Sequence, residues 1–173
     1  SFQSGLSWST ILKKREAFRN AFASFIPEAV AAFTDQDRER LMQDAGIVRN
    51  KRKIDAAITN AQAVIVLRSA LAAESDAHRA GRVDGAPLAQ LLRPRQPYPR
   101  HLGELAWLYQ PSQHPRPANA GEVPAQTEES RALSAQLKRR GFVFVGPVTA
   151  LALMSAIGIV NTDILGTWKR PSI

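Results

Sequence analysis

The stretch GFVFVGPVTA, residues 141–150, has the residue types of a phosphate-binding turn. Gly146 leaves room for backbone amides to approach an anion, and Pro147 suits the first turn of a helix. The free N–H groups and the positive dipole at such a helix start attract phosphate. A basic run at 138–140 precedes the turn and would attract any nucleic-acid backbone. The same residues also suit an ordinary corner between two helices, so both interpretations stay open at this point.

A second group of residues that could take part in binding lies at the start of the chain, in the stretch SFQSGLSW. Phe2 and Trp8 provide aromatic surface, Gly5 provides a flexible turn, and Leu6 provides a compact apolar side chain. By residue type alone, Trp8 suits a core aromatic, and Leu6 suits a hydrophobic contact that fixes a helix start. The composition of this stretch therefore marks it as unusual without assigning it a role.

Other kinds of chemistry find no support in the residue types. The sequence contains no cysteine, which excludes disulfides, thiolate catalysis and cysteine-based zinc sites. The three histidines, His78, His101 and His114, have no spacing typical of metal ligands. We therefore expect no bound metal and no cofactor.

Helices are the elements expected to position these residues. Across residues 1–75 the apolar side chains recur at helical spacing, and residues 34–37 form a capping-box-like helix start with Gly46 as the expected stop. A further helix is expected after residues 50–53. The apolar positions of these helices are Ile11, Phe18, Phe22, Phe25, Leu41, Met42, Ala45, Ile54, Ile58, Ala61 and Ile65.

Residues 76–125 contain eight of the eleven prolines and are expected to be a connector or insertion made mostly of loop. One short helix over 102–109 would place Trp107 and Tyr109 on the core. Helical patterning returns over residues 127–170. Thr127 is expected to cap a helix that ends at Gly141, and a second helix is expected to run from residue 147 to residue 158.

The composition is that of a globular protein, and its positive charge is compatible with an anionic partner. Residues 1–173 suit a single domain with 45% hydrophobic residues, and the net charge of +8 is typical of nucleic-acid-binding proteins. The longest apolar candidate for a membrane span, residues 143–160, is interrupted by glycine, proline and hydroxyl residues. We therefore expect an all-α, soluble, intracellular protein that does not bind membranes.

Three segments in a fixed order link the two groups of residues. They are QSGLSWSTILKKREAFRNAF at 3–22, LMQDAGIVRNKRKIDAAITNAQA at 41–63 and LKRRGFVFVG at 137–146. Together they resemble the DNA-3-methyladenine glycosylase I family of the helix-hairpin-helix glycosylases, over roughly residues 1–65 and 127–163. The resemblance implies a helix-hairpin-helix glycosylase fold with two helical lobes around a base pocket. It also implies a monofunctional enzyme that flips 3-methyladenine out of alkylated double-stranded DNA and hydrolyses its glycosidic bond.

The resemblance also implies a role for individual residues. Trp8 would stack on the extruded base, with Phe2 and Gln3 beside it, and a cationic methylated base would be attracted to the Trp8 ring. Gly5 and Leu6 would lie in the loop that fills the gap in the duplex. The implied contacts to the DNA backbone are Lys138, Arg139, Arg140, Val143, Val145, Gly146 and Thr149.

Most of the remaining basic residues are expected to be solvated or structural, with a minority on phosphate. They lie at 13–15 and at 49–53. Arg49 and Lys53 have an alternative role as ion-pair partners of Asp44 or Asp55. The resemblance further implies a monomer that acts in the bacterial cytosol, at the nucleoid.

The chain departs from the family pattern in three ways. Members of the family carry about 35–40 residues upstream, including a pocket glutamate expected just before Ser1, so no catalytic residue is assigned within the chain. The family's C-terminal zinc ligands align with Asp163 and Thr167, which predicts no structural zinc. Residues 151–156 have lost polar groups, and Asn161 is expected to be a helix-end or turn residue.

These departures leave alternatives open. A non-catalytic DNA-binding or structural member of the same fold would explain the lost polar and zinc-binding residues. A basic helical adaptor that binds proteins through residues 87–124 is a third possibility.

Overall fold

The structure, a computed structural model, describes residues 2–3, 5–82, 88–92 and 96–167. Within these ranges every regular element is a helix, which confirms the all-α prediction. Short 3₁₀ turns occupy Ala23–Phe25, Ala89–Leu91 and Ala120–Glu122. The α-helices are α1 (Trp8–Lys13), α2 (Arg15–Ala21), α3 (Pro27–Ala31), α4 (Asp35–Gln43), α5 (Lys51–Arg79), α6 (Leu102–Trp107), α7 (Glu128–Arg139) and α8 (Pro147–Ala156).

Helix α4 begins at the predicted capping box. The Thr34 backbone N–H donates to Asp37 Oδ2 at 3.0 Å, and the Asp37 N–H donates to Thr34 Oγ1 at 3.4 Å. The hydrogen bond from the Thr34 backbone is the main reason that the pKa of Asp37 lies below its usual value. The capping prediction for this helix is therefore confirmed.

The predicted stop at Gly46 is wrong, because α4 already ends at Gln43. Glycine is required at position 46 by its surroundings and not by the end of a helix. A Cβ atom at this position would lie 2.9 Å from Asp44 Oδ1 and 3.0 Å from the Ala17 Cβ. Close packing, and not a left-handed helix end, therefore requires the small residue.

Both ends of α7, the helix that precedes the turn at residues 141–146, are as predicted. The Ser130 N–H donates to Thr127 Oγ1 at 3.2 Å at the start of α7. At its end, Gly141 has a φ of +85°, and the Phe142 N–H donates to the Leu137 carbonyl at 3.0 Å. This is the hydrogen-bond pattern of a Schellman motif, which favours glycine at the left-handed position.

Helix α5 is longer than expected and continues to Arg79, inside the segment predicted to be loop. By length and composition it is also apolar enough to cross a membrane, with a mean hydropathy of 1.4 over 18 residues. The expectation that residues 143–160 are the longest apolar candidate is therefore wrong. Ile54 and Ile58 of α5 are buried in a protein core, as in the central helix of many globular proteins.

The chain divides into two compact units. The first comprises Ser1–Ala70 and Leu137–Val145, and the second comprises Leu71–Gln136 and Gly146–Ile173. The core of the first unit is built by residues from α2 to α5. Its buried members are Phe18, Ala21, Phe22, Val30, Leu41, Ile47, Ile54, Ile58 and Ala61. The prediction of one domain over residues 1–173 stays a prediction.

Several residues expected in the core lie at the surface. Met42 and Ile65 are at least one-third exposed, and Phe25 is 48% exposed. In the second unit Tyr109 is buried as expected, but Trp107 at the end of α6 is 43% exposed. Apolar spacing predicted helical structure in this part of the chain, but the helical assignment of Phe22 and Phe25 is wrong, because α2 ends at Ala21 and Phe25 lies in a left-handed turn. The spacing also did not distinguish a buried helix face from a partly exposed one.

Candidate functional site

A cleft of about 510 Å³ lies in the first unit, beside the first residues of the chain. It brings Phe2, Gln3 and Trp8 together, the three residues predicted to bind a base. The surface around them is mainly apolar. The complete lining is Phe2, Gln3, Trp8, Ile11, Leu12, Arg15, Phe18, Arg19, Ser24 and Phe25.

Phe2 is fixed at both its ring and its backbone. The ring centroid lies 4.6 Å from that of Phe18 and 5.5 Å from that of Phe22. The carbonyl oxygen of Phe2 accepts a hydrogen bond of 2.9 Å from Lys53 Nζ. One wall of the cleft is therefore anchored to the core of the first unit.

An ion pair of Lys53 with Asp44 or Asp55, which the sequence left open as an alternative, is not what the structure contains. Asp55 pairs with Arg38 at 3.1 Å, while the Lys53 ammonium donates to Phe2. The Lys53 side chain is buried, and this burial lowers the pKa of its ammonium group. Lys53 therefore holds the segment that carries the candidate base-binding residues.

A tight turn presents the rest of this segment. The Leu6 N–H donates to the Gln3 carbonyl at 2.8 Å, and Gln3 Nε2 donates to the Leu6 carbonyl at 3.2 Å. Gly5 within the turn has a φ of +76°, which glycine adopts without strain. Leu6 is 36% exposed and is not part of the cleft lining, so its predicted role in filling a gap in the duplex stays a prediction.

Trp8 begins α1 directly after this turn. Ser7 caps the helix, because its Oγ accepts the Thr10 N–H at 3.2 Å. The Trp8 side chain is 47% exposed and lines the cleft. The alternative of a buried core aromatic is therefore wrong for Trp8.

Phe25 is a second exposed ring in the cleft that the sequence reasoning missed. Ala23, Ser24 and Phe25 all have left-handed backbone conformations, with φ values of 47°, 55° and 57°. Such a conformation costs non-glycine residues roughly 1–2 kcal/mol each, and strain of this kind is frequent at functional sites. The Phe25 ring stacks on Phe22 with centroids 5.4 Å apart and planes 3° from parallel. No glycine or asparagine in the stretch signals this turn.

The charged residues around the cleft are basic. Arg15 and Arg19 of α2 line it, and the lining residues that the structure describes include no carboxylate. Lys14, which lies next to Arg15, has a structural role instead. Its Nζ donates to the carbonyl oxygens of Ala45 and Gly46 at 2.9 and 3.0 Å.

The chain between α7 and the first turn of α8, residues 141–149, is the hairpin that the family resemblance predicts. Its part in the first unit differs from the prediction at Val143. Its backbone N–H, expected to donate to phosphate, donates to Asn60 Oδ1 at 2.8 Å. Asn60 Nδ2 in turn donates to the Val143 carbonyl at 3.0 Å. The prediction that the Val143 amide binds phosphate is therefore wrong, because its N–H already donates a hydrogen bond to Asn60.

The basic run before the hairpin is only partly open to solvent. The side chains of Lys138 and Arg139 are exposed, and Arg140 is partly buried. Val145 is also partly buried. Lys138 and Arg139 therefore have the accessibility that a phosphate contact requires.

In the second unit, α8 begins without a side-chain cap. Gly146 is its N-cap residue and provides no side-chain hydrogen bond, and no acidic residue lies in the first turn. Gly146 has an ordinary φ of −61°, and a Cβ atom there would meet nothing within 4 Å. Neither backbone strain nor packing within the described protein therefore requires glycine at this position. Thr149, also predicted to contact DNA, is partly buried in this first turn.

The residues aligned with zinc ligands are engaged in local turns. The Asp163 N–H donates to Asn161 Oδ1 at 2.9 Å, as expected for Asn161 as a turn residue. Thr167 Oγ1 donates to the Ile164 carbonyl at 2.8 Å. Across the described ranges, no three His, Asp or Glu side chains are grouped closely enough to hold a metal ion.

Comparisons with known proteins point to one family. The sequence model of the methyladenine glycosylase family matches residues 1–101 and 89–170. DNA-3-methyladenine glycosylase 1 of Escherichia coli K12 is 37% identical over 172 aligned residues, which cover 98% of this chain and 76% of that protein.

Solved structures agree with the sequence comparisons. The crystal structure of a 3-methyladenine DNA glycosylase I matches with a TM-score of 0.74 and 34% identity, covering 98% of this chain and 79% of the other. A structure of 3-methyladenine recognition by the Staphylococcus aureus glycosylase I matches with a TM-score of 0.75 and 28% identity. That match covers 99% of this chain and 78% of the other.

Proposed function

This chain belongs to the methyladenine glycosylase family, and on that premise we propose that it excises 3-methyladenine from alkylated DNA. The reaction is hydrolysis of the bond between the base and C1′ of the deoxyribose. The electrons of that bond go to the base, which leaves as a neutral molecule because the methylated base is a cation. The oxygen of water bonds to C1′ and a proton is released.

The observation that carries the proposal is the cleft that contains Phe2, Gln3 and Trp8. A flipped base needs an aromatic surface that is open to solvent and fixed in position. Trp8 and Phe25 provide exposed rings, and Phe2 is anchored on Phe18. A cationic base over the face of Trp8 would gain about 0.5–2 kcal/mol from cation–π attraction.

Contacts to the DNA backbone are assigned to two groups of residues. Lys138 and Arg139 supply exposed positive charge at the end of α7, and the partly buried Arg140 adds a further charge next to them. Gly146 and Thr149 lie at the start of α8, where free N–H groups suit a phosphate. In this proposal Gly5 and Leu6 fill the space that the flipped nucleotide leaves.

The partner of this site is proposed to be double-stranded DNA with alkylated bases. The net charge of +8 supports an anionic partner, and the family acts on DNA. We assign the protein to the cytosol, at the nucleoid, and we propose that it acts as a monomer, because flipping one nucleotide requires one base-binding cleft.

The proposal is tested by release of free 3-methyladenine from methylated duplex DNA, measured by chromatography. Trp8→Ala should reduce release at least 10-fold and leave duplex binding within about 2-fold, since stacking is worth about 1–3 kcal/mol per base. Trp107→Ala is the matched control, because Trp107 is also half-exposed but lies in the second unit. Equal losses in the two variants, or no release by the folded wild-type protein, would contradict the proposal.

A non-catalytic DNA-binding member of the fold is the second candidate. It is favoured by one observation, that no carboxylate is among the described residues lining the cleft. Such a protein would bind alkylated duplex DNA and protect the flipped base without releasing it. Binding with no free base after prolonged incubation would favour this candidate.

A further inference from the structure

We propose that Arg15 and Arg19 form a phosphate-binding site at the edge of the cleft, which holds the backbone of the DNA strand that carries the flipped nucleotide. The inference rests on the proposed function, because it describes how the same cleft would take a nucleotide and not only a base. It adds a backbone contact that is independent of the hairpin.

The two side chains are placed to act together. They lie four residues apart on α2, so that their Cβ atoms are neighbours at about 5–6 Å on one helix face. Both are exposed, and both line the cleft together with Trp8 and Phe25. The site therefore combines two guanidinium groups with two exposed aromatic rings, which are the groups that a nucleotide's phosphate and base require.

The charges of these two arginines are not neutralised within the described part of the chain. Neither forms an ion pair there, and the described lining has no carboxylate. Helix stability does not account for Arg15 either, because it begins α2, where the helix dipole disfavours a cation. By contrast, carboxylates pair with Arg38, Arg40, Arg68, Arg79 and Arg100.

The ligand of this pair is a phosphate and not the base itself. A 3-methylated adenine in DNA is cationic, so two guanidinium groups repel it. A phosphate is attracted, and the planar fork of each arginine can donate two parallel hydrogen bonds to its oxygens. With the base held by Trp8, the nearest phosphates are those of the same strand.

The test uses the double variant Arg15→Gln/Arg19→Gln and the salt dependence of its affinity for duplex DNA that carries an abasic-site analogue. Each lost phosphate contact should reduce the slope of log K against log salt by about 0.9, so we expect a reduction of about 0.9–1.8. The Kd at fixed low salt should rise at least 10-fold. Binding of free 3-methyladenine, followed by tryptophan fluorescence, should stay within 2-fold, because the free base is neutral.

Two control variants separate this site from a general effect of charge. Arg15→Lys/Arg19→Lys keeps the charge, so the salt slope should be retained while the Kd rises through loss of the bidentate hydrogen bonds. Arg131→Gln removes one exposed arginine from α7 and should change the slope by less than half of the double variant's effect. Circular dichroism and thermal unfolding check that all variants are folded.

The outcomes distinguish this inference from the proposed function. A double variant with the slope and Kd of the wild type overturns the inference, even when 3-methyladenine is released normally. A reduced slope in a protein that releases no base supports the phosphate site and contradicts the enzymatic function. Inorganic phosphate at constant ionic strength is the remaining probe. If it changes the fluorescence of the wild type but not of the double variant, and the DNA slope is unchanged, the site takes a free anion and the proposed DNA contact is wrong.

Discussion

The Lys53 ammonium donates a hydrogen bond to the carbonyl oxygen of Phe2 at 2.9 Å, although the two residues are 51 positions apart in the sequence. Lys53 lies in the first turn of α5, where its N–H donates to Asn50 Oδ1 at 3.1 Å. The contact therefore joins the segment that leads to Trp8 to a capped helix in the core of the first unit. A buried lysine explains how the start of the chain is held in position.

Replacing Lys53 with methionine should weaken the binding of free 3-methyladenine about 10-fold. This corresponds to about 1.4 kcal/mol, near the lower limit of what one hydrogen bond to a charged group contributes. The methionine keeps the apolar stem but cannot hold the Phe2 carbonyl, so the emission of Trp8 should also shift to the red. Fluorescence titration measures both effects.

Lys51→Met is the matched control for Lys53→Met, because Lys51 lies on the same helix turn but is exposed. Lys53→Arg retains a donor and should recover part of the lost affinity. An affinity for the base in Lys53→Met equal to that in Lys51→Met would show that Lys53 does not position the cleft.

Asn60 should stabilise the hairpin through its two hydrogen bonds with the Val143 backbone. Asn60→Ala leaves both backbone groups without this partner, and we expect a loss of about 1–2 kcal/mol in the free energy of unfolding. Asn60→Asp should retain only the hydrogen bond from the Val143 N–H. Its loss in the free energy of unfolding should therefore lie between zero and that of Asn60→Ala. Urea unfolding measures these differences, and a fully stable Asn60→Asp would argue against a contribution from the Nδ2 donor.

Two glycines of the hairpin should respond differently to the same substitution. Gly146→Ala should change stability by about 1 kcal/mol or less, because its φ is ordinary and its Cβ meets open space. It should nevertheless weaken duplex binding about 10-fold by blocking the approach of a phosphate to α8. Gly141→Ala should cost about 1–2 kcal/mol of stability, because its φ of +85° is strained for alanine.

Parallel chemical unfolding and duplex titration separate the two glycine effects. Since Gly146→Ala keeps the fold, a loss of DNA affinity in this variant cannot come from unfolding. Duplex binding by Gly146→Ala that matches the wild type would rule out close contact between phosphate and the start of α8.

Glu104 should make stability depend on acidic pH. The hydrogen bond from the Arg100 side chain, followed by that from the Arg100 backbone, lowers the pKa of Glu104 from 4.5 to about 2. A carboxyl group with a lowered pKa stabilises the fold above pH 4.5, and this contribution is lost as the pH falls toward 2. Because the side chain is 30% exposed, we expect about 1 kcal/mol at most.

The variant Glu104→Gln measures this contribution. Its free energy of unfolding should be lower than that of the wild type at pH 7, and the difference should shrink between pH 4.5 and pH 2.5. Glu128→Gln, a change at an exposed glutamate of α7, serves as the control. A difference between Glu104→Gln and the wild type that is constant over this range would refute the assignment.

Local sequence signals predicted the helices and many of their ends. The Thr34 capping box, the Thr127 cap and the Gly141 stop are all present, because each depends on hydrogen bonds between residues no more than five positions apart. The three ordered motifs predicted the family and the fold. The resemblance also implied a base-binding role for Phe2, Gln3 and Trp8, which the structure places in one cleft.

Contacts between distant residues could not be predicted in this way. An aspartate partner was one alternative for Lys53, and Val143 was expected to bind phosphate, but each bonds to a residue more than 50 positions away. A charge or a backbone amide has many possible partners along a sequence, and only the tertiary structure selects one. The left-handed turn that exposes Phe25 has no local signal either, because its residues do not favour that conformation.

The sequence by itself therefore determined the helices, the family and the aromatic character of the site, since these depend on local hydrogen bonds, periodicity and residue type. Only the tertiary structure decided which basic side chains bond to the protein's own backbone and which line the cleft. Lys14 and Lys53 bond to backbone carbonyls, whereas Arg15 and Arg19 line the cleft. The physical reason is that burial and the distance to a partner, which sequence spacing does not specify, determine what a charged side chain does.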